Sequence, residues 1–396
     1  MSSRHAAAPI RILHIAKHTH SANGNVCAMV DLACTQADAG HIVAVCSAGG
    51  DFNVLLTNHG VRHYEISHER KSPALFLDAY RVSTLIRNFD PEIVHAHMMT
   101  SSLVARVLQP MHNYKLVTTV HNEFQRSAIL QGVGQRVIGV SEAVTRSMIK
   151  RGIPSSVMRT VLNGTIGSPR FVSDEHPLPT LCRPAILFVG GLHARKGVDD
   201  LIKAFATVSR DFATAKLYLV GSGPDLSAYM SLAKSLAPGR IEFVGHRDDV
   251  LSFMRAADVF VLPSRAEPAG LVLSEAREAG CAIIAADVGG ISEMLENGAA
   301  GILVPPDRPD VIARNLRELL AEPVLLSSLR QRSQIKIDRM KIERVARETE
   351  AVYREILEDT FAHRKGGEFH LYLRRWLLEV LTHQPPAKPP FKSKVT

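Results

Sequence analysis

Two carboxylates, Glu267 and Glu275, stand eight positions apart in RAEPAGLVLSEAREAG, directly after the strand-like DVFVLPS. An ionised carboxylate only accepts hydrogen bonds, so an acid one to two turns into a helix suits a vicinal diol such as ribose. That is the reading of Glu275. Glu267, in the loop at the carboxyl end of the strand, is expected to face a cleft. Between them the first helical amides, near Ala269, Gly270 and Leu271, lack intrahelical acceptors and favour an anion or sugar hydroxyls. The plainer reading is a loop acid followed by an acid on an exposed helix face.

Two neighbouring turns carry phosphate chemistry. FVGGLHARKGVDDL sets Gly190, Gly191, Arg195, Lys196 and Gly197 between a strand and a helix, and LVGSGPDL repeats the idea with Gly221, Ser222 and Gly223. Glycines let backbone N–H groups approach an anion, the helix N-terminus adds a positive dipole, and Lys196 adds a full charge. Neither turn matches G-x-G-x-x-G or a P-loop. Singly, each is a tight βα connection; together, after successive strands of one sheet, they favour a diphosphate site. Arg247, in GHRDDV, is a candidate nucleobase contact, with a solvated charge as the simpler reading.

Other constellations are weaker. His95 and His97 lie two apart on a strand and face one side, as metal ligands do, but no Cys or carboxylate of suitable spacing joins them. Core or cleft packing is favoured and no metal is expected. Asp199–Asp200 reads as helix capping. The absence of G-x-S-x-G argues against an α/β-hydrolase.

The elements that must position these residues form an alternating pattern. Strand candidates at 10–16, 41–48, 61–67, 92–97, 115–121 and 136–141 are separated by helical stretches such as 73–89 and 141–152. A stretch with four prolines, 165–184, reads as a linker, and strands then resume at 185–190, 216–221, 241–245, 259–264, 282–287 and 301–306. This predicts an α/β protein of two tandem doubly wound Rossmann-like domains facing a cleft, with ligands at the carboxyl ends of the strands. The expected bounds are 1–170 for the acceptor-side domain and 171–342 for the donor domain. Residues 309–320 and 323–360 read as helical, 343–365 are expected as the helix crossing back to the first domain, and 366–396 form a basic amphipathic tail.

The chain has 396 residues, 46% apolar and 22% charged, which suits a soluble globular protein. Five scattered cysteines without a C-x-x-C pair point to a reducing cytosol, with Cys27 and Cys34 in the core. The net charge of +8 divides into +7 over 1–170, −4 over 171–362 and +5 over the last 34 residues. Basic ends suggest an anionic partner; sparse aromatics (6%) and no zinc-finger pattern make nucleic acid the weaker one. The tail, with the single Trp beside Arg374 and Arg375, suits a membrane interface or a cap on the fold.

The E-x7-E spacing, FVGGL…KG, GSGP, ADVFVLPS and GGISEMLENGAAGILVPP resemble the donor half of the family-four glycosyltransferases; DPEIVHAHM, TTVHNEF, VIGVSEAV and VLNGT resemble the other half. The resemblance covers roughly residues 10–360. It implies the GT-B fold and a retaining, metal-independent hexosyltransferase with no cofactor, using a UDP- or GDP-sugar as donor. The implied acceptor is a glycan or a lipid-linked molecule, in polysaccharide, lipopolysaccharide or glycolipid synthesis. The protein would be cytoplasmic, with peripheral contact to the inner face of an anionic membrane.

Carried over by position, Lys196 binds the pyrophosphate, Glu275 the ribose, and Glu267 lies beside the transferred sugar. Ala269 to Leu271 offer their amides, His121 reaches the sugar or leaving phosphate, and Gly24 lines the cleft near the diphosphate. Gly190, Gly191, Arg195, Ser222, Gly223 and Arg247 complete the binding set. Gly191 stands where the family usually has Arg, with Arg195 as a candidate substitute. That departure keeps a weakly active sugar-nucleotide-binding subunit in view, beside a sugar-nucleotide epimerase or phosphorolytic enzyme of the same fold.

Overall fold

A computed structural model describes residues 8–21, 23–66, 72–171 and 177–359. The first parallel sheet comprises β1 (Arg11–Ile15), β2 (Ile42–Ser47), β3 (Arg62–Glu65), β4 (Ile93–Ala96), β5 (Lys115–Val120), β6 (Arg136–Gly139) and β7 (Met158–Thr160). Its spatial order is β3-β2-β1-β4-β5-β6-β7. A second comprises β8 (Ala185–Val189), β9 (Lys216–Val220), β10 (Ile241–Gly245), β11 (Val259–Leu262), β12 (Ala282–Ala286) and β13 (Ile302–Val304), ordered β10-β9-β8-β11-β12-β13. Both sheets are the doubly wound α/β type that the alternation predicts.

Side chains alternate across a strand, so each strand of the first sheet feeds two cores. Ile12 of β1 and Ile93 of β4 face the helices Gly24–Asp38 and Ile342–Glu358, whereas Leu13 and Val94 face the opposite layer with Val82 and Phe89. Such double burial explains the continuous apolar runs. Cys27 and Cys34 are buried, as expected of core cysteines. Among the described residues no helix is long and apolar enough to cross a membrane.

Three local readings change. The edge strand β7 is not marked by the sequence, because three residues carry no readable period. The helical run expected over 323–360 is broken into Pro323–Arg332, a one-turn 3-10 segment Ile337–Met340 and Ile342–Glu358. Lys336 takes a left-handed conformation (φ 52°), and Lys341 bridges Ile166 in parallel, which forces the chain out of the helix. The Pro-rich stretch is also not loose throughout, since Thr165, Ser168 and Pro169 are buried. The tail 366–396 lies outside the described residues.

Candidate functional site

In each sheet the strand order reverses once, between β1 and β4 and between β8 and β11. Loops leaving neighbouring strands at such a point run apart, and a crevice opens between them. In the second sheet those loops are 190–197 and 263–270, which carry Lys196 and Glu267. They are pinned together: the Arg265 N–H donates to the Arg195 carbonyl at 2.8 Å, and Gly197 lies so close that a Cβ would fall 2.1 Å from the Pro263 carbonyl oxygen. Lys196 Nζ therefore meets Glu267 Oε2 at 2.5 Å, with Ser264 Oγ donating to the same oxygen at 3.3 Å. Asp199 and Asp200 do not act as side-chain caps; with Asp307 they grip the Arg265 guanidinium and so hold the acid loop.

The backbone after Glu267 lies between the two sheets. Ser141 Oγ donates to the Pro268 carbonyl at 2.6 Å, and Ala269 packs with Val120, Val140 and Val144 of the first sheet's layer. The Gly290 N–H donates to the Glu267 carbonyl at 3.1 Å; Gly289 beside it has φ 56°, and a Cβ there would fall 1.9 Å from that oxygen. Gly270, at φ 64°, starts the helix Leu271–Glu278 with no side-chain cap, so its first amides remain available to a ligand. Opposite, Gly24 begins the helix Gly24–Asp38, 3.6 Å from Leu271 Cδ1 as judged by its missing Cβ. Glu293 adds a tie, accepting from the N–H groups of Glu142 (2.7 Å) and Ala143 (2.8 Å) at the start of the helix Glu142–Lys150.

Glu275 is buried rather than on an exposed face. Arg170 Nη2 lies 3.5 Å from its Oε1, and the same guanidinium pairs with the fully buried Asp31 at 2.8 and 3.0 Å. Burial raises the Glu275 pKa, and Arg170 opposes that rise. Sequence reasoning missed Arg170 and Asp31; the one signal was an Arg directly after a Pro inside a Pro-rich stretch. It also missed Glu293 and Ser141, whose roles depend on contacts between distant segments.

The first sheet supplies a polar cavity of about 320 Å³ at its own reversal point, lined by Lys17, His18, Asn23, His97, His121 and Asn122 among others. Burial lowers the His121 pKa to about 4, so its imidazole is neutral near pH 7. The loop after His121 faces the donor-side turn. Arg195 lies over the Phe124 ring (5.4 Å to the centroid), and Glu123 is raised by burial, with Glu267 adding to the rise and Arg195 opposing it. Glu123 Oε2 and Arg195 Nη1 are buried without hydrogen-bond partners among the described residues.

The remaining expected residues divide. Gly190 and Ser222 are adjacent through the backbone: the Gly190 N–H donates to Val220 at 3.0 Å and the Leu192 N–H to Ser222 at 2.8 Å, with Gly223 in the same turn. At Gly191 a Cβ would come within 3.0 Å of His193 Cδ2, so the His193 ring fills the space next to the position where the resembled family usually has Arg. Arg247 is not brought to the Lys196–Glu267 pair by any contact described; Asp249 holds it in a two-pronged pair at 2.8 Å, over Phe253.

Comparison with known proteins follows the same division. The family model described as Glycosyltransferase Family 4 matches residues 24–165, and that described as Glycosyl transferases group 1 matches 183–322. N-acetyl-alpha-D-glucosaminyl L-malate synthase of Bacillus anthracis is 24% identical over 349 residues, 82% of this chain and 91% of its own. Anabaena HepE, solved with UDP and glucose, superposes with a TM-score of 0.77 at 19% identity, over 87% of this chain and all of that one. A glycosyltransferase of Rickettsia africae reaches 0.76 at 19% identity, over 89% of this chain and 100% of its own.

Proposed function

Because the chain belongs to the family-four glycosyltransferases of the GT-B fold, we propose that it is a retaining, metal-independent hexosyltransferase. Its donor is a UDP- or GDP-sugar, and its acceptor is a glycan or lipid-linked molecule of cell-surface polysaccharide or glycolipid synthesis. The observation that carries this reading is the Lys196–Glu267 ion pair, set at the sheet's reversal point beside the uncapped start of Leu271–Glu278.

In this reading the donor diphosphate takes Lys196 from Glu267. Lys196 and the amides of Ala269 to Leu271 then face the oxygens on which charge develops as the sugar leaves, where fixed dipoles lower the barrier most. Glu267, released from the lysine, accepts from hydroxyls of the sugar. Glu275 accepts from the ribose while Arg170 opposes the upward pull of burial on its pKa. Gly24 borders the diphosphate, and Gly190, Gly191, Arg195, Ser222 and Gly223 frame it. Arg247 remains the residue assigned to the base.

The acceptor lies in the cavity beside His121, and its hydroxyl attacks from the face that the diphosphate leaves. The bond from the anomeric carbon to phosphate oxygen breaks and the bond to the acceptor oxygen forms. The hydroxyl proton passes to the departing phosphate, so configuration is kept. Catalysis is then mainly positioning and charge stabilisation. Lys17 and the +7 charge of residues 1–170 support an acceptor with an anionic group or a site at an anionic membrane surface on the cytoplasmic side. The basic tail 366–396 would add to such contact, and its deletion would weaken co-sedimentation with anionic vesicles.

The test is a thermal-shift screen of UDP- and GDP-sugars, which raise the melting point of the folded state they bind. Turnover of the stabilising donor is then followed in EDTA. Glu267→Ala should lose at least about 100-fold in kcat when assayed on folded protein, its melting point being lowered because the Lys196 ammonium loses its partner, and NMR of the product should show the donor's anomeric configuration. Unchanged turnover in Glu267→Ala, or an inverted product, would overturn the assignment.

A further inference from the structure

From His121 and His97 at the acceptor cavity a row of buried histidines runs inward to His14 and His95, which the reaction scheme does not use. Strand register puts them there. His14 of β1 is paired with His95 of β4, and both point to the side that carries Ile12 and Ile93. His97 and His121 continue the row beyond the ends of β4 and β5. The ligand-type nitrogens of His14, His95 and His97 all lie within 4.8 Å of one another, which raises the question of a metal. The hydrogen bonds answer it differently, because all six ring nitrogens of these three residues are engaged by protein partners.

The partners form a continuous chain. His121 Nε2 meets His97 Nδ1 at 3.2 Å; His97 Nε2 meets His14 Nδ1 at 2.9 Å; His14 Nε2 meets Gln36 Oε1 at 2.8 Å. Gln36 Nε2 points to Tyr353 Oη at 3.4 Å, Tyr353 Oη meets His95 Nδ1 at 2.6 Å, and His95 Nε2 meets Thr119 Oγ1 at 2.7 Å. A neutral imidazole has one donor and one acceptor nitrogen, so fixing a proton anywhere in such a chain fixes it everywhere.

Tyr353 fixes it. A contact of 2.6 Å is short for an N–H donor and normal for O–H, so the phenol donates to His95 Nδ1. Its single proton is then used, and the group facing its oxygen must be the Gln36 amide N–H2. Gln36 Oε1 therefore accepts from His14 Nε2–H, His14 Nδ1 accepts from His97 Nε2–H, and His97 Nδ1 accepts from His121 Nε2–H. His121 is left with an unprotonated Nδ1, which has no protein partner among the described residues, on a ring that lines the cavity. Burial keeps His14, His95, His97 and His121 neutral near pH 7, and it keeps the Tyr353 phenol protonated.

We propose that Gln36 and Tyr353 are positioning residues that hold His121 in its Nε2–H form, so that Nδ1 offers the cleft a lone pair. The consequence for recognition rests on the glycosyltransferase reading and sharpens it. A lone pair accepts from a hydroxyl and repels a phosphate oxygen, so His121 recognises a hydroxyl of the sugar or acceptor and not the leaving phosphate. Tyr353 sits on Ile342–Glu358, so a helix at the far end of the chain sets the proton position at the cleft.

The test reads the proton directly and needs no substrate. With histidine-selective 15N labelling, two-bond 1H–15N correlation spectra at pH 7.5 should show His121 as one Nε2–H tautomer. In Gln36→Met, which keeps the length but neither donor nor acceptor, His121 should become a mixture of tautomers with unchanged circular dichroism. Tyr353→Phe should act in the same direction, because the Gln36 amide is then free to turn over. Rescue is expected in Gln36→Glu, whose ionised carboxylate only accepts. A wild-type His121 protonated on Nδ1, or a pure Nε2–H form in folded Gln36→Met, overturns the proposal. If Gln36→Met fails to fold, the wild-type spectrum and Tyr353→Phe still decide. The spectra stand whether or not any nucleotide sugar is turned over, so failure here is distinct from failure of the transferase reading.

Discussion

Arg170 Nη2 lies 3.5 Å from Glu275 Oε1 while its Nε lies 2.8 Å from Asp31 Oδ1. One guanidinium thus sits between an acid of the helix Gly24–Asp38 and the acid assigned to the ribose, and Ser168 Oγ donates to the same Asp31 oxygen at 2.6 Å. The arrangement links the two sheets through a segment that the sequence marks as a connection.

Removing that guanidinium should be costly. Arg170→Met strands the fully buried Asp31 and a buried Glu275, and leaving such charges unpaired costs about 3–5 kcal/mol. The expected outcome is a lower urea midpoint together with weaker nucleoside diphosphate binding. Adding Asp31→Leu should recover a large part of the stability, since an apolar pair of similar volume replaces the ions. It should not recover binding, because Glu275 still lacks its cation. A double-mutant cycle by urea unfolding, with titration calorimetry of UDP and GDP, separates the two effects.

Gly289→Ala tests how the acid loop is held. The new Cβ meets the Glu267 carbonyl oxygen at 1.9 Å and the backbone is in the left-handed region, so the 267–270 loop must shift. A displacement of about 1 Å is enough to cost roughly 100-fold in rate. Turnover should fall by about that factor, with the β-sheet circular dichroism retained. Wild-type turnover would show that the loop has slack the packing does not suggest.

The buried histidines predict a pH dependence. His14 and His121 have pKa values lowered to about 4, and His95 and His97 lie well below 6.5, all by burial first. Below pH 6.5 the unfolded chain takes up protons that the folded core refuses, so their stability contribution is present above 6.5 and lost toward 4. Between pH 7.5 and 5.5 each histidine should remove about 1 kcal/mol. Glu123 and Glu275, raised by burial, work the other way: acid favours their folded form, and stability falls as pH rises through their folded pKa. Asp200 and Glu278 are raised by burial too, but these four acids face eight histidines lowered by it, His18, His63, His112 and His193 included, so urea midpoints should fall on acidification, and His97→Gln should flatten the slope by about one proton. Equal midpoints at both pH values would refute this.

Gly191 offers a fourth test. If the Arg usual in the family were simply absent, Gly191→Arg alone should raise donor affinity. Here the His193 ring already fills the adjacent space, 3.0 Å from a Cβ at 191. Gly191→Arg should therefore bind donor no better than wild type, while Gly191→Arg with His193→Ala should bind about 10-fold better through a second phosphate cation. Calorimetry with the stabilising donor checks both.

Much of the fold was legible because parallel strands buried on both faces write themselves as apolar runs, as in AILFV of β8 and AIIAA of β12. The doubly wound architecture and the meeting of Lys196 with Glu267 follow from which strand each loop leaves. What stayed hidden depends on pairings between distant segments. His14 has no local sign of joining His95 and His97, since strand register brings it there. Arg170 looks like linker composition until Asp31 is placed opposite. The break at Lys336 arises because residue 341 pairs with Ile166, a contact absent from any helical window.

The helix Ile342–Glu358 has a last consequence, for the order of assembly during synthesis. Ile342, Val345, Val352, Tyr353 and Ile356 complete the core that begins with Ile10 and Ile12. A nascent chain emerges N-terminus first, and a domain folds as a unit once its parts are available. The first sheet therefore reaches the ribosome exit early but waits, with one apolar face covered only in part by Gly24–Asp38, until almost the whole described chain has been made. The second sheet, whose described core draws on residues 162–340, can close before it. The half synthesised first is the half that matures last, and a chain truncated before residue 342 should expose that face to chaperones.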